Sequence, residues 1–152
     1  MSLTQPWATV IAGLLAVAAA TIAYCGLLKN IGAQRKAEQR ARSIEQLNET
    51  VAAIETLSAA ITVLRAAESD RVKERANDKV LDAVERVHIV TAKLHLLDLT
   101  DAAEATGQYV TAITDQVLKH GSGSEVTPET VNESRINALT RLASTRRSIE
   151  DR

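Results

Sequence analysis

The sequence predicts an all-α fold, in which a single N-terminal transmembrane helix continues into an antiparallel up-and-down helical bundle or coiled-coil body. Three observations support this prediction. The first 28 of the 152 residues contain no Asp, Glu, Lys, Arg or His, and all 18 basic and 19 acidic side chains follow them. Six Gly and two Pro in the whole chain favour long helices over a fold with many turns. Beyond the apolar start, apolar residues recur at three- and four-residue spacing, which is typical of helices with one buried face.

The apolar segment, residues 7–28, has the length of a membrane-spanning helix. Its 22 residues would extend roughly 33 Å as a helix, and the hydrocarbon core of a bilayer is about 30 Å thick. The preceding residues lack the positive charge that a secretory signal peptide requires, so we predict a retained helix. The alternative is a buried helix of a soluble protein, but few soluble helices of this length lack a charge on every face.

A group of basic residues follows the apolar segment directly and predicts its orientation. Because Lys and Arg mark the cytoplasmic side of a membrane helix, we expect single-pass insertion in the cell (inner) membrane with the N-terminus outside. We therefore divide the chain into residues 1–28, the tail and transmembrane helix, and residues 29–152, a cytoplasmic bundle. The same side chains lie within reach of anionic lipid head groups and are the candidates for contacting them. These residues are Lys29, Arg35, Lys36, Arg40 and Arg42.

Small residues recur every fourth position in the apolar segment. Such a row allows two membrane helices to approach closely, so it is a candidate packing face. An alanine-rich sequence produces similar rows by chance, which leaves the interpretation open. Cys25, the single cysteine, excludes an intrachain disulfide and leaves either a buried apolar role or a crosslink between two chains. The row consists of Ala8, Ala12, Ala16 and Ala20.

The first cytoplasmic helix is predicted over about 29–67, with one apolar stripe facing a bundle core. The charged residues 68–79 then predict a turn with Ser69 or Asn77 as the helix cap, although an uninterrupted helix is the alternative. The predicted stripe consists of Ile44, Leu47, Val51, Ile54, Leu57, Ile61 and Leu64.

Three further helices are predicted over about 70–98, 100–120 and 128–150. Asp98 or Thr100 is a candidate cap for the third helix, and Thr127 with Pro128 predicts the start of the last. Gly121 to Val126 read as a flexible loop. The predicted core positions are Val80, Val84, Val87, Thr91 and Leu94 in the second helix, Ala102, Ala105, Tyr109, Ile113 and Val117 in the third, and Val131, Ala138, Leu139, Leu142 and Ile149 in the last.

The second cytoplasmic helix has more apolar residues near its end than one buried face requires. Ile89, Leu96 and Leu97 are the excess, and an apolar surface of this kind needs a cover. Another copy of the chain, another protein, or the last helix of this chain would each provide one.

The best candidate for chemistry is a pair of carboxylate–histidine spacings on the same helix. Glu85 and His88 are three residues apart, as are His95 and Asp98. A Glu-x-x-His pair occurs in the metal sites of helical bundles, but those sites require a second such pair and two further glutamates. No second Glu-x-x-His is present, so we expect no metal and regard these four residues as weak candidates.

Other signs of catalysis or nucleic-acid binding are missing from the sequence. It contains no phosphate-binding loop and no nucleophile elbow, and aromatic residues that line small-molecule pockets are scarce. The balanced charge provides no electrostatic attraction for nucleic acid. We therefore predict a protein that is not an enzyme and has no cofactor.

The layout as a whole resembles small single-span bacterial and phage membrane proteins with a helical cytoplasmic body. The resemblance rests on the arrangement of "WATVIAGLLAVAAATIAYCGLL", "KNIGAQRKAEQRAR" and the amphipathic helices. The leading hypothesis is a membrane-anchored scaffold or interaction protein that contacts lipid and either its own copies or another membrane protein. A phage or prophage envelope effector, such as a lysis or exclusion factor of the spanin or holin kind, is the alternative, and a metal-binding bundle is a third.

Overall fold

A computed structural model describes residues 5–118 and 127–151, with side-chain burial for residues 17–116 and 127–151. Every regular element in these ranges is an α-helix, so the all-helical prediction is confirmed. The four helices are α1 (Gln5–Ala66), α2 (Asp70–Leu96), α3 (Thr100–Leu118) and α4 (Pro128–Glu150).

The chain divides into two units, Met1–Gln39 and Arg40–Arg152. In the first unit, every side chain described from residue 17 onward is exposed, although many are apolar. A stretch of α1 near the N-terminus is long and apolar enough, by length and composition, to cross a membrane. The predicted boundary at residues 28 and 29 marks where lipid would end, and it stays a prediction.

The second unit has a single apolar core to which all four helices contribute. Most of the predicted stripe positions are buried in it, and most of the remaining ones pack against it. Val117 lies outside the residues whose burial is described. The core consists of Leu47, Ala53, Ile54, Leu57 and Ile61 from α1, Val80, Ala83, Val87, Val90 and Leu94 from α2, Ala102, Ala103, Ala105, Tyr109, Val110 and Ile113 from α3, and Val131, Ala138 and Leu142 from α4.

Two fully buried threonines occupy core positions that the apolar pattern did not predict. Thr50 donates to the carbonyl oxygen of Gln46 at 2.8 Å, and Thr106 donates to that of Ala102 at 2.7 Å. Each hydroxyl therefore finds its partner one turn back in its own helix, so the methyl group can pack in the core at little cost.

The break between α1 and α2 lies at residues 67–69. Ser69 precedes α2 in an extended conformation, at the cap position, but its side chain makes no capping hydrogen bond. Its carbonyl oxygen accepts from the backbone N–H groups of Val72 and Lys73. Asn77, the other candidate cap, lies inside α2.

The end of α2 differs from the prediction. Asp98 has φ 60°, and the N–H groups of Asp98 and Leu99 donate to the carbonyl oxygens of His95 and Leu94. This is a Schellman ending, with Asp98 in the left-handed position that glycine usually occupies. Thr100 is already the first residue of α3. The prediction of Asp98 or Thr100 as the α3 cap is therefore wrong, because the three-residue connection uses Asp98 to end α2.

The start of α4 follows the prediction. The Thr127 side chain accepts a hydrogen bond from the backbone N–H of Thr130 at 3.3 Å, and Pro128 occupies the first helical turn. Threonine is favoured as a cap because its side chain accepts from a backbone N–H that the helix leaves unpaired. Proline is favoured in the first turn because it has no N–H that would be left unpaired there. The predicted Gly-Ser loop before Thr127 lies outside the described residues.

Polar side chains join α1 to each of the other helices within the second unit. The helix carries a separate partner for α2, α3 and α4 along its length. The contacts are Glu49 with Lys93 at 3.1 Å, Arg65 with Gln116 at 2.6 Å, Glu55 with Arg135 at 2.6 Å, and Asn48 with Arg146 at 3.3 Å.

Candidate functional surfaces

The outer side of α2 carries an exposed row of apolar residues. Leu81, Ile89 and Leu96 are 55%, 52% and 86% exposed, and Ala92 between the last two is exposed as well. Ile89, Ala92 and Leu96 follow Leu81 by eight, eleven and fifteen residues, so the four side chains lie on nearly the same side of the helix. The distance along the helix from Leu81 to Leu96 is about 22 Å. We call these four residues the outer α2 row. They lie opposite the side that Val80, Val87 and Leu94 bury in the core.

Two of the three predicted contact residues belong to the outer α2 row. Ile89 and Leu96 are in it, whereas Leu97 is half-buried at the end of α2. Because Leu96 is 86% exposed, the described part of α4 does not cover it, which removes the last helix as its cover there. The sequence analysis missed Leu81. Leu81 precedes Ile89 by eight residues, and in a helix this spacing brings the two side chains to nearly the same side.

The carboxylate–histidine residues lie on the surface of α2 and its end. Glu85, His88, His95 and Asp98 are all exposed. Within the described residues, no group of three or more His, Cys, Asp or Glu side chains is arranged to hold a metal ion. Glu49 on α1, a glutamate that could have joined such a site, bonds to Lys93 instead. The described residues thus provide no support for the metal-binding alternative.

The basic residues after the apolar segment are all exposed on α1. Within the first unit, helical geometry places Lys29 and Lys36 along one side and Arg35 along a second side. Within the second unit, Arg40 and Arg42 lie on nearly opposite sides. A group with its charge on two sides suits contact with a broad anionic surface better than contact with a single ligand. Their role at lipid head groups and in orientation stays a prediction.

The small-residue row is described only in part. Ala20 is exposed, and the side chains of Ala8, Ala12 and Ala16 lie outside the described range. Cys25 is a free, exposed thiol. The packing role of the row stays a prediction.

One buried ionisable group was not singled out from the sequence. Tyr109 is nearly fully buried, and burial raises the pKa of its phenol above the ordinary value of 10.0. The positive charge of Arg135 and the hydrogen bond with Ser58 act against that increase in the pKa. In the sequence, Tyr109 fits an apolar stripe, so nothing there indicated that polar groups from α1 and α4 meet its hydroxyl.

Comparisons with known proteins give no relative for this chain. No family model matches it, and neither the curated proteins nor the solved structures contain a significant match.

Proposed function

We propose that the protein is a membrane-anchored helical scaffold that acts through helix–helix contacts and not through catalysis. The observation that carries the proposal is the outer α2 row, where Leu81, Ile89 and Leu96 are exposed on a helix that already buries its other side. A soluble surface rarely keeps such a row unless another surface covers it. Its length of about four turns suits a helix of a partner.

The body that presents this row is proposed to be an antiparallel up-and-down bundle. The order of the polar contacts supports this arrangement. Along α1, Asn48 and Glu55 meet Arg146 and Arg135, so rising α1 numbers go with falling α4 numbers. Short connections such as residues 67–69 also favour antiparallel neighbours.

The anchor is the exposed apolar part of α1, with the N-terminus outside and the bundle in the cytoplasm. Its apolar side chains have no protein cover in the described residues, and lipid would provide one. The basic residues that follow favour the cytoplasmic side for the body. Anchoring raises the local concentration, so a modest apolar row can suffice for association.

The partner that we propose for the outer α2 row is a second copy of the chain. Copies in one membrane share an orientation and a concentration, which favours association between like surfaces. The body carries 18 basic and 19 acidic residues, so two copies repel each other little at long range. Glu85 lies on the same side of α2 between Leu81 and Ile89, and it would resist a pairing that sets it opposite its own copy.

The test is the dimer fraction of the full chain in lipid nanodiscs or native membranes, measured by single-molecule photobleaching. Leu96→Glu and Ile89→Glu are expected to reduce the dimer fraction severalfold, because each places a charge in the apolar contact. Val72→Glu, at an exposed apolar position on a different side of α2 from the row, is the matched control and should leave the dimer fraction unchanged.

Two outcomes would count against this assignment. A monomer at all working densities removes the second copy as the partner, and affinity capture with wild-type and Leu96→Glu protein then tests for another membrane protein. Capture that is equal for the two proteins would reject the outer α2 row as the contact surface. The Leu96 substitution should not disturb the fold itself, because this side chain is 86% exposed.

A further inference from the structure

A small polar cavity lies between α1, α3 and α4 in the second unit, away from the outer α2 row. Its volume is about 70 Å³. On the scale where one water needs about 10–15 Å³, this is room for a group of several atoms. The lining includes Ile61, Pro128 and Val131 as apolar members. The polar members are Ser58, Thr62, Arg65, Tyr109, Asn132 and Arg135.

Arg65 and Arg135 both line this cavity, and neighbouring side chains hold both of their guanidinium groups. Arg65 donates to Gln116 Oε1 and Arg135 donates to Glu55 Oε2, each at 2.6 Å. These bonds fix the direction of the two arginines before any ligand arrives, which lowers the entropy that binding would cost. The Glu55 carboxylate is not among the lining side chains, but it balances the charge of Arg135, so Arg65 contributes the positive charge that no described carboxylate is shown to pair.

Arg135 also has a donor that pairs with nothing among the described residues. Its Nε is buried and has no hydrogen-bond partner there. An unpaired buried N–H of a charged group is costly. Because the atom is buried, a ligand oxygen would reach this donor only if a neighbouring side chain moved.

The neutral groups around the cavity suit the same ligand. With the Tyr109 and Ser58 hydroxyls bonded to each other, one of their two protons remains free to donate, and the Asn132 amide can donate as well. Pro128 places the cavity at the first turn of α4, where the helix dipole adds positive potential. Burial raises the pKa of the Tyr109 phenol; Arg135 lowers it, Glu55 raises it and Arg65 lowers it, so all three charges lie near this hydroxyl.

We propose that this cavity is a binding site for one small tetrahedral oxyanion, with inorganic phosphate as the probe. The two arginines supply positive charge and N–H donors, the Asn132 amide and one hydroxyl supply further donors, and the volume limits the ligand to about the size of phosphate or sulfate. A nucleotide is too large to enter. The proposal is independent of the scaffold function, because it involves neither the outer α2 row nor the anchor.

The test is isothermal titration of the full chain in detergent with phosphate, at constant ionic strength maintained with chloride. Wild type should bind one phosphate per chain. Arg135→Gln and Arg65→Gln should each weaken binding by at least about tenfold, because each removes a charge-assisted contact. Arg146→Gln is the matched control, since Arg146 lies on the same helix as Arg135 and also bonds to a glutamate, Glu150. It should leave the phosphate affinity unchanged.

A second measurement uses wild-type protein only, in case a variant does not fold. Phosphate should raise the midpoint of thermal unfolding, followed by circular dichroism, above that in chloride at equal ionic strength, and ATP should not. A physiological phosphate site would be partly occupied at a phosphate concentration of about 10 mM. If wild type binds no phosphate up to that concentration, the proposal is overturned. An equal loss of phosphate affinity in all three arginine variants would also overturn it, because it would indicate binding to general surface charge. An equal rise of the unfolding midpoint with ATP would overturn it as well.

Discussion

The two ends of α1 use the same kinds of apolar residue in opposite ways. Val17 and Ile22 are 66% and 74% exposed in the first unit, whereas Leu47 and Ile54 are 1% and 0% exposed in the second. One uninterrupted helix carries both regions. The difference lies in what surrounds the apolar side chains, because in the second region three other helices supply the cover.

The pattern of polar residues accounts for this difference. In the second region the apolar positions form one stripe and charged residues occupy the other sides, so only one side needs a cover. In the first region no side of the helix carries a charge before Lys29, so every side needs an apolar cover. The contrast teaches that the first region is suited to lipid or to another membrane helix, and the second to a protein core.

Charges placed in the middle of the first region should have the largest effect. The double substitution Ala18→Arg with Ile22→Arg is expected to cost about 3 kcal/mol of insertion free energy for each arginine. Most of the protein should then be extracted from membranes by alkaline carbonate. The control is Ala33→Arg with Ala37→Arg, two exposed positions beyond Leu28, which should leave the protein in the membrane pellet. Equal behaviour of the two variants would show that the first region is not in lipid.

A cavity in the second region should have the next largest effect. Leu57 is fully buried, so Leu57→Ala should lower the free energy of unfolding by about 2–5 kcal/mol, measured with urea and circular dichroism on the full chain in detergent. Val63→Ala, on the same helix but 52% exposed, should change it by no more than about 0.5 kcal/mol. If Leu57→Ala were as mild as Val63→Ala, the second region would lack the packed core described above.

The contrast between the two regions was largely readable from the sequence. Spacing alone found Leu47, Ile54, Leu57 and Ile61, because a buried helix side repeats with the helical period. It did not find Thr50, because a hydroxyl looks polar in sequence and only the helix itself shows that it bonds one turn back.

The sites were less predictable than the core. Ile89 and Leu96 were found because an apolar excess is visible in one segment of sequence. The cavity was not found, since Arg65, Tyr109 and Arg135 come from three helices and only folding brings them together. Helix ends fell between these cases. Thr127 is followed by Pro128, and this pair marks a helix start in the sequence. The role of Asp98 depends on its positive φ, which an aspartate in the sequence does not indicate.

Helix caps test how far the second region depends on local bonds in addition to its core. Thr127→Ala should lower the free energy of unfolding by about 1 kcal/mol, because the side chain accepts from the Thr130 N–H. Ser69→Ala should cost only a few tenths of a kcal/mol, since Ser69 makes no side-chain cap bond. Urea unfolding measures both. A larger loss at Ser69 than at Thr127 would contradict the capping geometry.

Substitutions at the end of α2 separate backbone strain from side-chain contacts. Asp98 holds a left-handed conformation, so Asp98→Gly should give a protein about 1 kcal/mol more stable than Asp98→Ala. Asp78 is exposed inside the same helix, and there the order should reverse, with Gly about 1 kcal/mol less stable than Ala. Urea unfolding of the four variants gives both differences. The same order at both positions would mean that Asp98 is not left-handed and that α2 does not end in a Schellman motif, because only the sign of the backbone angle distinguishes the two sites.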